Sequence, residues 1–445
     1  MPSLEEQWIR QPFIGRLGLY LSGLAGICLM HPATRLIFLE STMSAAFLSP
    51  RMSLVKPSPT LAITDNAKAM KARGMDVIAL AQGEPDMDTP ANICEAAIQA
   101  IKGGQTRYTA VNGTAELKRA IARKFLRDHA MTINPDDVIV CTGGKQVLFN
   151  ALVATIGEGD EVLIPAPYWV SYPDMVLLAG GKSVSVQCDA SVGFKLTPEL
   201  LQKAITPRTK WLILNSPSNP TGSVYTEEDL KALGQVLKAH PNVLVMVDDM
   251  YEKLLFDGAK FATLAQVAPE IADRVLTING VSKAYCMTGW RIGYGHGPSW
   301  LIGAMSAIQS QSTSNPSSIS QAAALEALDG PQDFIAAHNV IFQRRRDMVV
   351  ALLNDCEGVT CMTPQGAFYV YPSCAGTLGK TTPKGVKINS DFDFANALLD
   401  EKMVAVVPGS AFGLAPYFRI SYATSDDILK DACQRIKEFC ASLKA

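Results

Sequence analysis

Residues 210–248 read K-W-L-I-L-N-S-P-S-N-P-T-G-S-V-Y-T-E-E-D-L-K-A-L-G-Q-V-L-K-A-H-P-N-V-L-V-M-V-D. The run 210–215 is short, apolar and stopped by a proline-rich turn. Residues 227–240 carry apolar side chains at helical spacing, and 243–248 return to an almost continuous apolar run. Such short runs belong to strands covered on both faces, and a strand–helix–strand succession predicts parallel pairing through a crossover.

The alternation extends in both directions. Residues 138–141, 161–165 and 275–278 read as further strands and 145–156 as a helix, so the expected fold is α/β with a large domain on a mainly parallel central sheet. After residue 320 the pattern changes. A long helix over 333–354, short apolar pieces at 367–371 and 404–407, and a closing helix from Asp426 predict a smaller α+β domain. The expected division is an N-terminal extension over 1–42, a segment 43–92 that joins the small domain, a large domain over 93–330 and the small domain over 331–445.

Composition narrows the function. A chain of 445 residues with 40 basic and 42 acidic side chains has no general attraction for nucleic acid or anionic membranes, which leaves a small-molecule enzyme as the expectation. Ten cysteines lie scattered from Cys28 to Cys440 without a C-x-x-C, and the nearest pair, Cys356 and Cys361, lacks companions at metal-ligand spacing. With five histidines and no H-E-x-x-H, no metal is expected, and the thiols read as reduced, mostly buried groups of a cytoplasmic protein. Residues 17–30 are apolar and flanked by Arg10, Arg16 and Arg35, yet too short for a membrane span of roughly 20 residues. Glu5 and Glu6 suit a presequence badly. The segment reads as an extension upstream of a start at Met43, with targeting or anchoring as the other reading.

The chemistry concentrates in residues 279–294, N-G-V-S-K-A-Y-C-M-T-G-W-R-I-G-Y. Lys283 follows a predicted strand and Arg291 follows eight residues later, which sets an amine and a fixed cation in one locality. A phosphorylated aldehyde cofactor needs both: the amine to form a Schiff base, the guanidinium to bind phosphate through paired hydrogen bonds. A lone lysine is usually a solvated surface residue, so other segments must carry weight. N-S-P-S-N-P-T-G at 215–222 leaves the sheet at a carboxyl end, where open α/β sheets bind ligands. Asp248 ends the next strand and can pair with a protonated pyridine nitrogen, with Tyr251 three residues on in reach of the neighbouring phenolic oxygen. Thr142-Gly143-Gly144-Lys145 turns from strand to helix, where backbone N–H groups can receive a phosphate, although the Walker pattern and G-x-G-x-x-G are both missing.

Taken in order, these pieces resemble the class I aminotransferases of the fold type I pyridoxal-phosphate superfamily, most of all the bacterial aspartate and prephenate branch. The motifs are L-A-Q-G-E-P-D at 80–86, Y-W-V-S-Y-P at 168–173, N-P-T-G at 219–222 and S-K-A-Y-C-M-T-G-W-R-I-G at 282–293. The resemblance implies Lys283 as the Schiff-base lysine, Asp248 on the ring nitrogen, Asn219 and Tyr251 on the phenolic oxygen, and Trp169 stacked on the ring. Phosphate would lie against Gly143, Gly144, Lys145, Ser282 and Arg291, with Tyr108 reaching in from the second subunit of a homodimer. Arg419, in F-R-I-S-Y-A, would grip the substrate α-carboxylate with help from the Gly83 backbone. The distal carboxylate of a dicarboxylic substrate has two candidate cations, Lys145 and Lys56.

One departure stands out: Gly280 occupies the place where many relatives bear a hydroxyl. The implied activity is transfer of the amino group of L-aspartate to 2-oxoglutarate, with prephenate as a further acceptor. Other readings are an aromatic or alanine aminotransferase on the same scaffold, and a non-enzymatic cofactor-binding regulatory domain, which the lack of a helix-turn-helix-like basic region disfavours.

Overall fold

The computed structural model describes residues 47–49, 52, 54–55 and 59–445. The extension 1–42 and Lys56 lie outside them. From Val55 onward the chain forms one compact unit. Its main sheet has seven strands: β2 (Val138–Cys141), β3 (Glu161–Ala166), β4 (Lys182–Gln187), β5 (Thr209–Asn215), β6 (Leu244–Asp248), β7 (Val275–Gly280) and β8 (Gly293–His296). They lie in the order β2-β8-β7-β6-β5-β3-β4. All pairs are parallel except those made by β8, which runs antiparallel to β2 and β7.

Both faces are covered, as the continuous apolar runs require. Ile213, Met246 and Ile278 point into one core with the helices Gly144–Thr155 and Ser299–Ser312. Leu212, Leu214 and Val247, one residue out of phase, pack with Leu230, Leu233 and Leu237 of the helix Glu227–Lys238. That helix starts on a reciprocal cap: Thr226 Oγ1 accepts from the Asp229 backbone N–H at 3.1 Å and Asp229 Oδ2 accepts from Thr226 at 2.9 Å.

β4 and β8 were not anticipated, since K-S-V-S-V-Q is a largely polar alternation and G-Y-G-H offers no apolar run. The glycines of β8 answer to packing instead: a Cβ on Gly293 would overlap the Gly144 backbone, and one on Gly295 would come within 2.7 Å of Val147.

The remaining strands are short. β1 (Ile78–Ala79) pairs in parallel with β10 (Val404–Ala405), while β11 (Val407–Pro408), β12 (Phe418–Ser421) and β9 (Tyr369–Val370) form an antiparallel sheet in that order. Phe418 and Ile420 of β12 pack with Phe342 and Val349 of the helix Asp333–Asn354 and with Ile436 of the closing helix Asp426–Ser442. The nine described cysteines are unpaired, and seven are buried. Among the described residues no helix is long and apolar enough to cross a membrane.

Candidate active site

The carboxyl ends of β2, β3, β5, β6 and β7 open on a cleft of about 360 Å³. Eleven of the residues singled out from the sequence line it: Gly83, Gly144, Lys145, Trp169, Asn219, Asp248, Tyr251, Ser282, Lys283, Arg291 and Arg419. Four of these are cations, Asp248 is the one carboxylate in the lining, and among the described residues none of the four cations makes an ion pair. A cleft with this imbalance is built to receive a ligand that brings several negative charges.

Lys283 is half-buried, and its Nζ donates to the Gly83 carbonyl at 2.5 Å. Burial is the main force on its amine; Glu84 opposes it, Arg419 and Arg291 add to it, and the result is a value pulled down to about 8. The amine is therefore far easier to neutralise than a surface lysine, as a nucleophile or base requires.

Asp248 is buried at the end of β6. Its Oδ2 accepts from Tyr172 Oη at 2.7 Å and its Oδ1 from the Met250 N–H at 3.3 Å. Burial raises its carboxyl despite these bonds, so its charged form calls for a cationic partner beside it. Tyr251 Oη and Tyr369 Oη stand 2.8 Å apart, and burial pushes the Tyr251 phenol well up.

Arg419, on β12, is 2% exposed. Its Nη1 donates to Asn219 Oδ1 at 2.8 Å and its Nη2 to the Ala81 carbonyl at 2.5 Å, while the buried Nε finds no partner. The guanidinium lies 4.7 Å from the centre of the Tyr369 ring and 5.0 Å from that of Phe412, which fixes its plane. Burial lowers it below its ordinary value. A desolvated guanidinium without a carboxylate is costly unless a ligand supplies one.

At the other end of the cleft Gly143 adopts φ 85° before the helix Gly144–Thr155, whose first turn leaves backbone N–H groups without intrahelical partners. A Cβ at Gly143 would overlap the Arg291 guanidinium, so the loop and the cation form one cradle only with glycine there. Arg291 itself sits in the left-handed region at φ 57°, a conformation that costs a non-glycine residue about 1 kcal/mol and is concentrated at functional sites. This donor set of helix N-terminus and guanidinium fits a phosphate.

The departure at Gly280 has a packing cause. A side chain there would meet the Ile292 carbonyl at 3.0 Å, Gly293 Cα at 3.1 Å and the Met250 methyl at 3.1 Å. A hydroxyl residue at 280 would have to push backbone aside, whereas the buried Ser282 lines the cleft without that conflict.

Lys145 Nζ stands 4.7 Å from the Trp169 ring centre, and burial, with Arg291 adding to it, lowers its amine. Tyr108 does not line the cleft and is 91% exposed. Sequence reasoning assigned nothing to Tyr172, Tyr369 or Met250, all of which line the cleft. Tyr172 was within reach: it lies one helical turn from Trp169, and their rings meet edge to face at 5.4 Å. Tyr369 carried no local signal.

An α/β sheet that brings a readily neutralised lysine and unpaired cations to its carboxyl edge defines an enzyme transferring groups on small anionic substrates. The chain belongs to the aminotransferase class I and II family, whose model matches residues 75–436. It is 62% identical over 398 residues to an aspartate/prephenate aminotransferase of Cereibacter sphaeroides, covering 89% of this chain and all of that one. It is 54% identical over 407 residues to an aspartate aminotransferase of Rhizobium meliloti, covering 91% and 99%. Among solved structures, the aspartate aminotransferase of Rhizobium meliloti aligns with a TM-score of 0.87 at 54% identity, covering 89% of this chain and 99% of that one. That of Thermus thermophilus with maleate aligns at 0.82 and 41%, covering 88% and 99%.

Proposed function

We propose that this aminotransferase moves the amino group of L-aspartate to 2-oxoglutarate, giving oxaloacetate and L-glutamate, and that prephenate serves as an alternative acceptor. The observation that carries the reading is Arg419, a buried guanidinium with a free Nε and no carboxylate, in the same cleft as Lys283. The names of the relatives support aspartate and prephenate as substrates, and the Thermus structure with maleate supports a site that takes a dicarboxylate.

Pyridoxal 5′-phosphate fits the residues present. When bound, it supplies an aldehyde carbon for the amine and a conjugated ring that takes up the electron pair left at the substrate α-carbon. Gly143, Gly144, Ser282 and Arg291 would hold its phosphate, with Lys145 at the edge of that cradle and Tyr108 reaching in from the second subunit of a homodimer. Trp169 would cover the ring face, and Asn219 and Tyr251 would bond the phenolic oxygen. Asp248, kept in place by Tyr172, would face the ring nitrogen and favour its protonated form.

Arg419 and the Gly83 backbone bind and orient the α-carboxylate. Lys283 Nζ, pulled down to about 8 and so readily freed of its own proton, takes the α-proton. Trp169 and Tyr369 keep water from the reacting side. The division into a large domain over 93–330 and a small domain over 43–92 and 331–445 belongs to this reading, since Arg419 and Gly83 would then meet the substrate from the small side. Lys145 and Lys56 are the cations proposed for the distal carboxylate.

The test is an absorbance spectrum of the purified protein reconstituted with pyridoxal phosphate. A visible band that is lost on adding L-aspartate and restored by 2-oxoglutarate is the expected result. No visible band, or no response to any amino acid, overturns the reading; a response to phenylalanine or alanine alone moves it to the aromatic or alanine enzymes.

Lys145→Ala separates the distal contact. It should raise KM for aspartate on the order of tenfold, as loss of one charged contact does, with a change under about twofold for alanine. Equal losses for both donors would remove the assignment.

A further inference from the structure

The turn 248–252 faces two ways. Asp248, Met250 and Tyr251 line the cleft; Asp249 and Glu252 do not, and lie in a second, closed polar cluster. Glu252 is 6% exposed. Its Oε2 stands 2.8 Å from His129 Nε2, and its Oε1 forms an ion pair with Lys124, which is 1% exposed. Lys124 Nζ is also 2.9 Å from His129 Nε2. Both partners come from the helix Ala115–His129, and the next residue of the turn, Lys253, pairs with Asp128 of that helix at 2.7 Å.

Burial would raise the Glu252 carboxyl, but Lys124 and His129 outweigh it and hold the group well below the usual range. Asp249 moves the opposite way, raised by burial and, in smaller part, by the Glu252 charge. The negative charge beneath the turn therefore sits on Glu252. Tyr285, two residues beyond Lys283, and Tyr294 also lie within reach of the Glu252 charge. The helix Ala115–His129 thus meets both segments: Lys124 and His129 bond Glu252 beside the turn that presents Asp248, and Leu117, Ile121 and Phe125 share a core with Ala284 and Tyr285, next to Lys283.

Stability is a weak account of such a cluster. Removing charges from water costs several kcal/mol per ion, and well-packed apolar side chains often serve a core as well or better. What the ion pairs provide is one geometry. Glu252 N–H bonds the Asp249 carbonyl at 3.0 Å and Leu254 N–H bonds the Tyr251 carbonyl at 2.8 Å, so fixing the Glu252 side chain fixes the turn that begins at Asp248 and contains Tyr251. We infer that Lys124, Glu252 and His129 are positioning residues that hold Asp248 and Tyr251 in register with Lys283. The inference rests on the pyridoxal phosphate reading above.

Glu252→Gln alone strands the buried Lys124 charge, so the informative variant is the double Lys124→Met, Glu252→Gln, which removes both charges at similar volume. It is compared with the wild-type holoenzyme in thermal unfolding, in kcat and KM for aspartate, and in the pH midpoint of the visible band. The expected result is a melting temperature within about 2 °C of wild type. With it, kcat should fall at least ~10-fold at nearly constant KM, the cost of a small misplacement of catalytic groups, and the band's pH midpoint should move. Wild-type kcat with an unmoved midpoint overturns the inference. Should the double variant fail to fold, Lys124→Arg decides: it keeps the charge, changes the geometry of the pair, and is expected to lower kcat and move the midpoint in a folded protein, with wild-type values for both overturning the inference. A wild-type protein without a visible band would sink the cofactor reading itself, an outcome distinct from a normal wild-type band shared unchanged by the variants.

Discussion

Lys283→Ala should lower kcat on the order of 10⁴-fold, the upper range for removal of a positioned acid–base group, while the protein stays folded. The side chain makes one hydrogen bond to the rest of the chain, to Gly83, and its charge is attracted by Glu84 and Asp248 but repelled by Arg419 and Arg291, so its loss removes one contact and opposing charge effects that offset each other. Stability of the cofactor-free protein should change by no more than about 1 kcal/mol, measured by denaturant unfolding.

Lys283→Arg sharpens the test. Arginine keeps the positive charge but cannot release its proton in the working pH range, so it should be as inactive as alanine. Retention of a tenth of wild-type kcat by Lys283→Arg would show that the neutral amine is not the base. The pH dependence carries a sign as well. The proton must be absent for the amine to accept another, and the group is pulled down to about 8, so the single-turnover rate with aspartate should rise with pH and level off above about 8. A rate that falls across that interval would contradict the role.

The sequence exposed these features unevenly, for physical reasons. Strands buried on both faces leave continuous apolar runs, which is why β2, β5 and β6 were legible to within one residue. β8 was hidden because its glycines answer to the backbone of Gly144 and the side chain of Val147, and no local pattern records that approach. Lys283, Arg291 and Arg419 stood in motifs dense enough to read. Tyr369 did not, because its place depends on Tyr251, 118 residues away. The Lys124–Glu252 pair is invisible for the same reason: each residue alone resembles a solvated helix or turn charge, and only the fold shows that both are dry. In the sequence Gly280 showed only as a departure from relatives with a hydroxyl there, whereas the contacts of a Cβ tie it to the close packing of Ile292, Gly293 and Met250.

Arg419→Lys should reduce kcat/KM about 10²-fold for every amino-acid donor, a loss near 2.7 kcal/mol, in the range for disturbing one member of a buried charged contact. The guanidinium spreads its donors over Asn219 and the Ala81 carbonyl and still has an unpartnered Nε, while Tyr369 and Phe412 hold its plane. A lysine ammonium presents its three donors from one point. It can satisfy Asn219 or the carbonyl, but it cannot also meet two carboxylate oxygens side by side. Because every amino acid has the same α-carboxylate, the loss should be shared equally by aspartate, alanine and phenylalanine, unlike the selective loss expected for Lys145→Ala. The visible band of the reconstituted protein should persist, since Arg419 is not assigned to the phosphate. A folded variant that loses the band would instead put Arg419 on the cofactor, and the α-carboxylate would then need another cation from the same cleft, where Lys145 and Arg291 remain besides Lys283.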